Sequence, residues 1–335
     1  NLEDISAPSV GNLVKNQKFI VILVFIALFI VFSVASPVFL KYTTIIQMFD
    51  MAYYYVLMAF GVGLALITGG VDLSIGTGVV CYAIVGAAVI KNLKAPVLVG
   101  ILIAILLAVG IGLFNGILIA VMQLPPFLAT LCTCMIARGL GSICANNFSI
   151  PWPTVSQAGG EFHFLFKFTA PNGMIIPVGF IWIFVLMLIM RYVLNSTKFG
   201  RYTIGIGSNK EALLLSGVNT KFYHIMVYVI CGLFAGVASI AYAASTPTIQ
   251  PGVGAGMEMD AIGGAIVGGV SASGGRGTME GIFIGTFVIM LLKVGLPFVG
   301  FQANWQQLIT GFVLIGSVMV DVIKTSRAQA AKAAA

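Results

Sequence analysis

From residue 19 to residue 322 the sequence is a succession of apolar runs, each close to the ~20 residues that carry an α-helix across ~30 Å of hydrocarbon. Backbone amides and carbonyls find no water at that depth, so such runs fold as helices that satisfy their own hydrogen bonds. The runs fall at 19–40, 51–68, 75–90, 97–122, 127–145, 175–194, 222–244, 257–273, 282–296 and 305–322. The eighth is the weakest, being rich in glycine and carrying Asp260, with Glu258 at its entrance. This layout predicts an all-α polytopic membrane protein of about ten transmembrane helices. Residues 1–18 form an N-terminal segment, 19–322 the transmembrane domain and 323–335 a short basic tail. Val34, Ala35 and Ser36 could pass for a signal-peptidase site, yet the run continues to Leu40 and is read as an uncleaved span. Tyr53, Tyr54 and Tyr55 stand at the end of the second run, where an aromatic belt would meet the interface.

Cations orient the layout. An even number of spans places both termini on one side, and eleven lysines and arginines, among them Lys15, Lys18, Arg191, Lys210 and Arg276, fall on that side. Five fall on the other, Lys41, Lys91, Lys94, Lys167 and Lys293, while Arg138 lies inside a run. The positive-inside rule then makes both termini cytoplasmic, together with the polar stretch 195–221, and makes the polar loop 146–173 external. The net charge of +7 is scattered over segment ends instead of gathered on a stripe, so it is no nucleic-acid footprint.

Stretch 195–221 is one of two long polar interruptions in a chain that is 59% hydrophobic and 8% charged. Ser208 followed by Glu211 reads as a capping box, Ala212 to Leu215 as the helical turn, and Gly217 as its left-handed terminator. A helix of about two turns is unstable in water on its own. It either packs on neighbouring membrane helices or docks a soluble partner.

Gly69-Gly70-Val71-Asp72-Leu73-Ser74-Ile75-Gly76 echoes Gly268-Gly269-Val270-Ser271-Ala272-Ser273-Gly274-Gly275 at G-G-V-x-x-S-x-G. The echo suggests two halves in one orientation, with breaks near the repeat interface surrounding a pathway; two glycine-rich packing segments matching by chance is the alternative. Asp72 and Asp260 sit in or beside weak runs, where a carboxylate is costly unless paired or wet. Each is either a pathway residue or a helix cap, and Arg138 could neutralise one of them. The five cysteines, Cys81, Cys132, Cys134, Cys144 and Cys231, lie in or beside apolar runs and read as packing residues. His163 and His224 lack partner ligands at metal spacing, so no metal site is expected. Gly274-Gly275-Arg276-Gly277-Thr278 lacks the spacing and the Lys-Ser/Thr ending of a phosphate loop. No nucleophile, base and orienting residue come together at a recognisable spacing, so no catalytic residues are assigned.

With these residues in place the chain resembles the inner-membrane permease subunits of the ribose/galactose branch of ABC sugar importers. The matching pieces are Thr68 to Ser74, Asn115-Gly116, Pro126 to Leu131, Phe199-Gly200-Arg201, Gly207 to Ala212, and Ser216 to Asn219. Met259 to Gly263, Val267 to Ser271, Gly274 to Thr278 and Trp305 complete the set, in the family's order along nearly the whole chain. The resemblance implies a bacterial inner-membrane permease that pairs with a second copy or a homologue within the lipid. It further implies cytoplasmic ATPase subunits holding ATP and Mg, and an external substrate-binding protein; the chain itself would take no cofactor and bind no nucleic acid. It makes Ser208, Asn209, Lys210, Glu211, Ala212, Leu213, Ser216 and Gly217 the coupling segment, and Asp72, Asn115, Phe127, Thr130 and Asp260 candidates for the substrate pathway. Departures from the family pattern are Ser208, Leu213, the run Met257-Glu258-Met259 and the loop 146–173 with Trp152 and Glu161. The competing expectations are an ion-coupled carrier using Asp72 and Asp260, and a membrane-embedded enzyme.

Overall fold

The computed structural model describes residues 17–171 and 173–333. Of the expected segment 1–18, residues 1–16, Lys15 included, lie outside the described residues. The described chain is a bundle of helices: α1 (Gln17–Ala35), α2 (Tyr42–Ile67), α3 (Ser74–Asn92), α4 (Val97–Ala120), α5 (Pro126–Cys144) and α6 (Val178–Ser196) come first. Then follow α7 (Lys198–Leu215), α8 (Thr220–Ser245), α9 (Met257–Val267), α10 (Met279–Gly295) and α11 (Ala303–Ala333). Eight of these, α1 to α6, α8 and α10, are long and apolar enough to cross a membrane.

The core forms around α2, which is buried without a gap from Ala52 to Ile67. A helix apolar on every side is one enclosed by other helices, and α8, α9, α10 and α6 pack around it. The expected second run begins at 51, but the helix starts at Tyr42, more than two turns earlier, and Asp50 within that added stretch is paired with Lys167 at 2.6 Å. That also corrects the aromatic belt. Tyr53, Tyr54 and Tyr55 lie more than two turns inside the helix and are 0%, 7% and 3% exposed. Close approach of α4 and α8 rests on small residues: a Cβ on Gly112 would strike the Tyr228 carbonyl and come within 3.0 Å of the Gly232 Cα.

Three expected segments differ from what folds. The eighth run yields only α9, eleven residues and so about 16 Å long, roughly half a bilayer. Gly256, with φ +94°, precedes it, and Gly269, with φ +98°, follows it. The basic tail expected beyond 322 continues the α11 backbone to Ala333. Loop 146–173 is folded, with a short 3-10 turn over Gly160–Leu165 and two-residue strands. Strand β1 (Ile150–Pro151) pairs antiparallel with β4 (Thr248–Ile249), and β2 (Phe168–Thr169) with β3 (Ile175–Ile176). Trp152, 1% exposed, pins the loop by donating its Nε1–H to the Ala83 carbonyl of α3 at 2.9 Å. At the opposite end of the bundle Glu280 of α10 receives Arg191 at 2.8 Å and Lys18 at 3.4 Å.

Candidate coupling site and solute cavity

Helix α7 is bent at Asn209, whose φ of −161° and ψ of 89° break the helical path. The cap expected from Ser208 and Glu211 is made by Asn209 instead. Its Oδ1 accepts from the Ala212 amide at 2.9 Å, whereas the Ser208 hydroxyl turns back to the Ile204 carbonyl at 2.9 Å. Serine is the commoner member of a capping box, but the bend occurs one residue later, and the cap belongs to whichever residue leaves helical geometry. The terminator is where the sequence puts it: Gly217 has φ +76°, and the Val218 amide bonds the Leu213 carbonyl at 3.1 Å. Between these caps Asn209, Lys210, Glu211, Ala212 and Ser216 are exposed, while Leu213 folds back onto Gly205. Leu214 and Leu215 are 52% and 90% exposed, an apolar tip among polar neighbours that sequence reasoning left as mere helix filling. Large exposed apolar residues of this kind mark contact surfaces.

Just before the bend, α7 meets the end of α2, immediately ahead of the first glycine echo, and the second echo itself. A Cβ on Gly207 would collide with the Ile67 carbonyl and lie 2.5 Å from the Gly275 amide nitrogen. That amide donates to Ile67 O at 2.8 Å, and Gly274 rests on Gly69. The two echo segments repeat the same local structure. Gly69 and Gly70 bond back to Leu66 and Ala65, and Gly269 and Val270 bond back to Ile266 and Ala265. Beyond each turn a side chain takes the amide two residues on, Asp72 from Ser74 at 2.9 Å and Ser271 from Ser273 at 3.3 Å. The turns align one residue away from the sequence match, since Gly69 takes the conformation of Gly269 and not of Gly268.

Of the pathway candidates, Asp72, Asn115 and Thr130 come together and are 2%, 0% and 0% exposed. Asp72 Oδ1 accepts from the Ser74 hydroxyl at 2.6 Å, that hydroxyl accepts from Asn115 Nδ2 at 3.1 Å, and Asn115 Oδ1 accepts from Thr133 at 2.8 Å. Thr130 bonds its own helix at Pro126 O and reaches Val71 O at 3.3 Å. The cluster ties the start of α3 to α4 and α5 with its polar groups satisfied. Phe127 points away from it and is 56% exposed.

Asp260 lies elsewhere, on α9, and its partner is Lys293 of α10, not Arg138. Tyr55 completes the group: its hydroxyl donates to Asp260 Oδ2 at 3.2 Å and accepts from Lys293 Nζ at 3.0 Å. These residues line a cavity of about 730 Å³ together with Tyr54, Tyr242 and Gln307. Neither Lys293 nor Tyr55 was picked out from sequence, because the one was counted only among the cations of the external side and the other as an interfacial aromatic. The available signal was only that a charge inside an apolar run calls for a partner; α9 and α10 carry further charges at Glu258 and Glu280, so the sequence did not say which residues pair. Among the described residues no group of three or more histidines, cysteines or carboxylates could hold a metal ion.

A family model described as "Branched-chain amino acid transport system / permease component" matches residues 44–318. The chain belongs to this permease family. Ribose import permease protein RbsC of Escherichia coli strain K12 is 32% identical over 315 residues, which cover 92% of this chain and 94% of that relative. RbsC of Bacillus subtilis strain 168 is 33% identical over 302 residues, covering 89% and 91%. Galactose/methyl galactoside import permease protein MglC of Salmonella typhimurium is 31% identical over 332 residues, covering 92% and 94%. No solved structure matches. With bacterial relatives of this kind and eight membrane-length apolar helices, the permease is a multi-pass protein of the bacterial inner membrane and a transport component.

Proposed function

We propose that the permease is the membrane half of an ATP-driven importer that passes a monosaccharide of the ribose or galactose kind from an external binding protein to the cytoplasm. The solute class follows the three relatives reported above, two named for ribose import and one for galactose/methyl galactoside import. The observation that carries the mechanism is the three-way junction at Gly207, Ile67 and Gly275. A push on the exposed 209–217 segment reaches both echo loops at once, and through them the start of α3 and the end of α9.

In this reading both termini and α7 are cytoplasmic, the chain crosses ten times with α9 as a broken span, and the two echo-bearing halves share one orientation. Cytoplasmic ATPase subunits hold ATP and Mg, the chain takes no cofactor of its own, and a second copy or homologue completes the membrane assembly in lipid. ATP-driven closure then shifts the permease between arrangements that differ in affinity for the binding protein. The ion-coupled carrier is less well supported, because the Asp260 charge is neutralised by Lys293 and Asp72 serves the start of α3, accepting from the Ser74 amide and hydroxyl. Reconstitution decides. Proteoliposomes should take up D-ribose or D-galactose only with the ATPase, ATP and the binding protein present, and uptake driven by an ion gradient alone would sink the proposal.

A further inference from the structure

We infer that the cavity around Asp260 is itself a low-affinity binding site for a neutral polyhydroxylated solute, a monosaccharide held by the permease on its way through. The inference rests on the import reading and goes beyond it, since import can proceed with recognition left entirely to the external binding protein.

The cavity, about 730 Å³, falls in the range of roughly 300–1,000 Å³ usual for small-molecule sites. Its charges are arranged for a neutral guest. Lys293 and Asp260 neutralise each other, so a lone ion entering the cavity gains little from either, and a buried pair of this kind is costly to separate. Hydroxyl groups suit the same pair without separating it, donating to a carboxylate and accepting from an ammonium. Both bonds to Asp260 fall on Oδ2, which leaves Oδ1 as a further acceptor, and Lys293 uses two of its three donors on Asp260 and Tyr55.

Aromatic surface stands beside these groups. The Tyr54 ring is 4.7 Å from that of Tyr55 and 5.2 Å from that of Tyr242, the latter nearly perpendicular at 87°. Such rings offer flat apolar faces to the C–H side of a sugar while keeping polar edges. Gln307, exposed on α11, adds an amide that both donates and accepts. A zwitterionic amino acid, the solute in the family's description, would meet two charges that already neutralise each other, so its own ammonium and carboxylate would gain less there than from an unpaired partner.

The test is saturation-transfer NMR on the full chain in lipid nanodiscs with D-ribose, D-galactose and L-leucine, beside ATP-driven uptake of the same solutes by the complete importer. The expected result is transfer to at least one sugar and none to leucine, with uptake of the same sugar. The double variant Asp260→Asn with Lys293→Met, and separately Gln307→Trp, should weaken sugar binding about tenfold or more, as loss of charged hydrogen bonds or of cavity space requires. Gln307 is exposed, so its bulky replacement keeps the fold even where the double variant fails to express. Sugar uptake without saturation transfer, or transfer unchanged in Gln307→Trp, overturns the site and leaves the import reading standing. Binding and uptake of leucine alone, or of none of the three, overturns both.

Discussion

At the scale of single residues, two positions on α7 separate the roles of the bend and the junction. Asn209→Ala removes the side chain that accepts from the Ala212 amide, a loss of about 0.5–2 kcal/mol for a cap of this type. Ser208→Ala leaves that cap in place and removes hydroxyl bonds to the Ile204 carbonyl at 2.9 Å and the Gly275 carbonyl at 3.5 Å, so it should do far less to the 210–216 segment. Hydrogen exchange across 210–216 measures this directly: faster exchange in Asn209→Ala than in Ser208→Ala is expected, and the reverse order would restore the serine cap that the sequence suggested. Gly207→Ala acts differently. Its Cβ meets backbone on two sides, and backbone cannot rotate away as a side chain can, so overpacking of about 1–3 kcal/mol falls on the junction itself. ATP-driven uptake should drop sharply while the ATPase still associates with the membrane; full uptake by a folded Gly207→Ala permease would remove the junction from the mechanism.

Among the elements, legibility in sequence followed length. The long apolar runs announced eight helices with their order intact, because a span that must satisfy its own backbone leaves few alternatives. Glycine-rich segments were harder: 257–273 carries enough apolar residues to suggest a span, yet the left-handed glycines at 256 and 269 cut it to eleven helical residues. Partners across the fold were not legible at all. Asp260 was singled out, but nothing in spacing links it to Lys293 or Tyr55, and Trp152 stood in a loop that matched nothing, although its indole locks that loop to α3. The ends of the 209–217 helix fared better, since caps and terminators are local signals, and even there the bend moved the cap by one position. The Trp152 contact has a measurable consequence. Trp152→Ala deletes a buried ring and a hydrogen bond, a change of about 3–5 kcal/mol in a well-packed site, and should lower the unfolding temperature of the detergent-solubilised permease. It should also open the loop to external protease; a Trp152→Ala protein as stable as the parent would show that β1 and β4 hold the loop without it.

For the whole molecule the question is which face each site looks towards. Helix α10 begins at Met279 beside Glu280, which binds Arg191 and Lys18, and ends with Lys293 in its last turn. If the cation-rich side is cytoplasmic, Lys293 and the Asp260 cavity belong to the external half, and the Gly207 junction closes the other end. A cysteine at 210 should then react with impermeant reagent only from the cytoplasm and one at 161 only from outside, once the five native cysteines are replaced; swapped accessibility would invert the orientation. The same background allows the route itself to be followed with cysteines placed singly at 72, 115, 127 and 260. In the arrangement described here position 260 borders a cavity, whereas 72 and 115 are sealed in a satisfied network. External hydrophilic reagent should therefore label 260 and leave 72 and 115 unreacted in the resting permease. Phe127 is exposed on the flank of α5 near the start of that helix, so labelling there reports whether that flank meets water or lipid. If trapping the ATPase in its ATP state moves α7 against the echo loops, as the proposed coupling requires, the movement reaches Asp72 through one loop and the end of α9 through the other. Labelling at 72 and at 260 should then change together, because one junction serves both. A change at 260 with none at 72 would mean that the two halves move independently, and no change at either would return both residues to packing and capping.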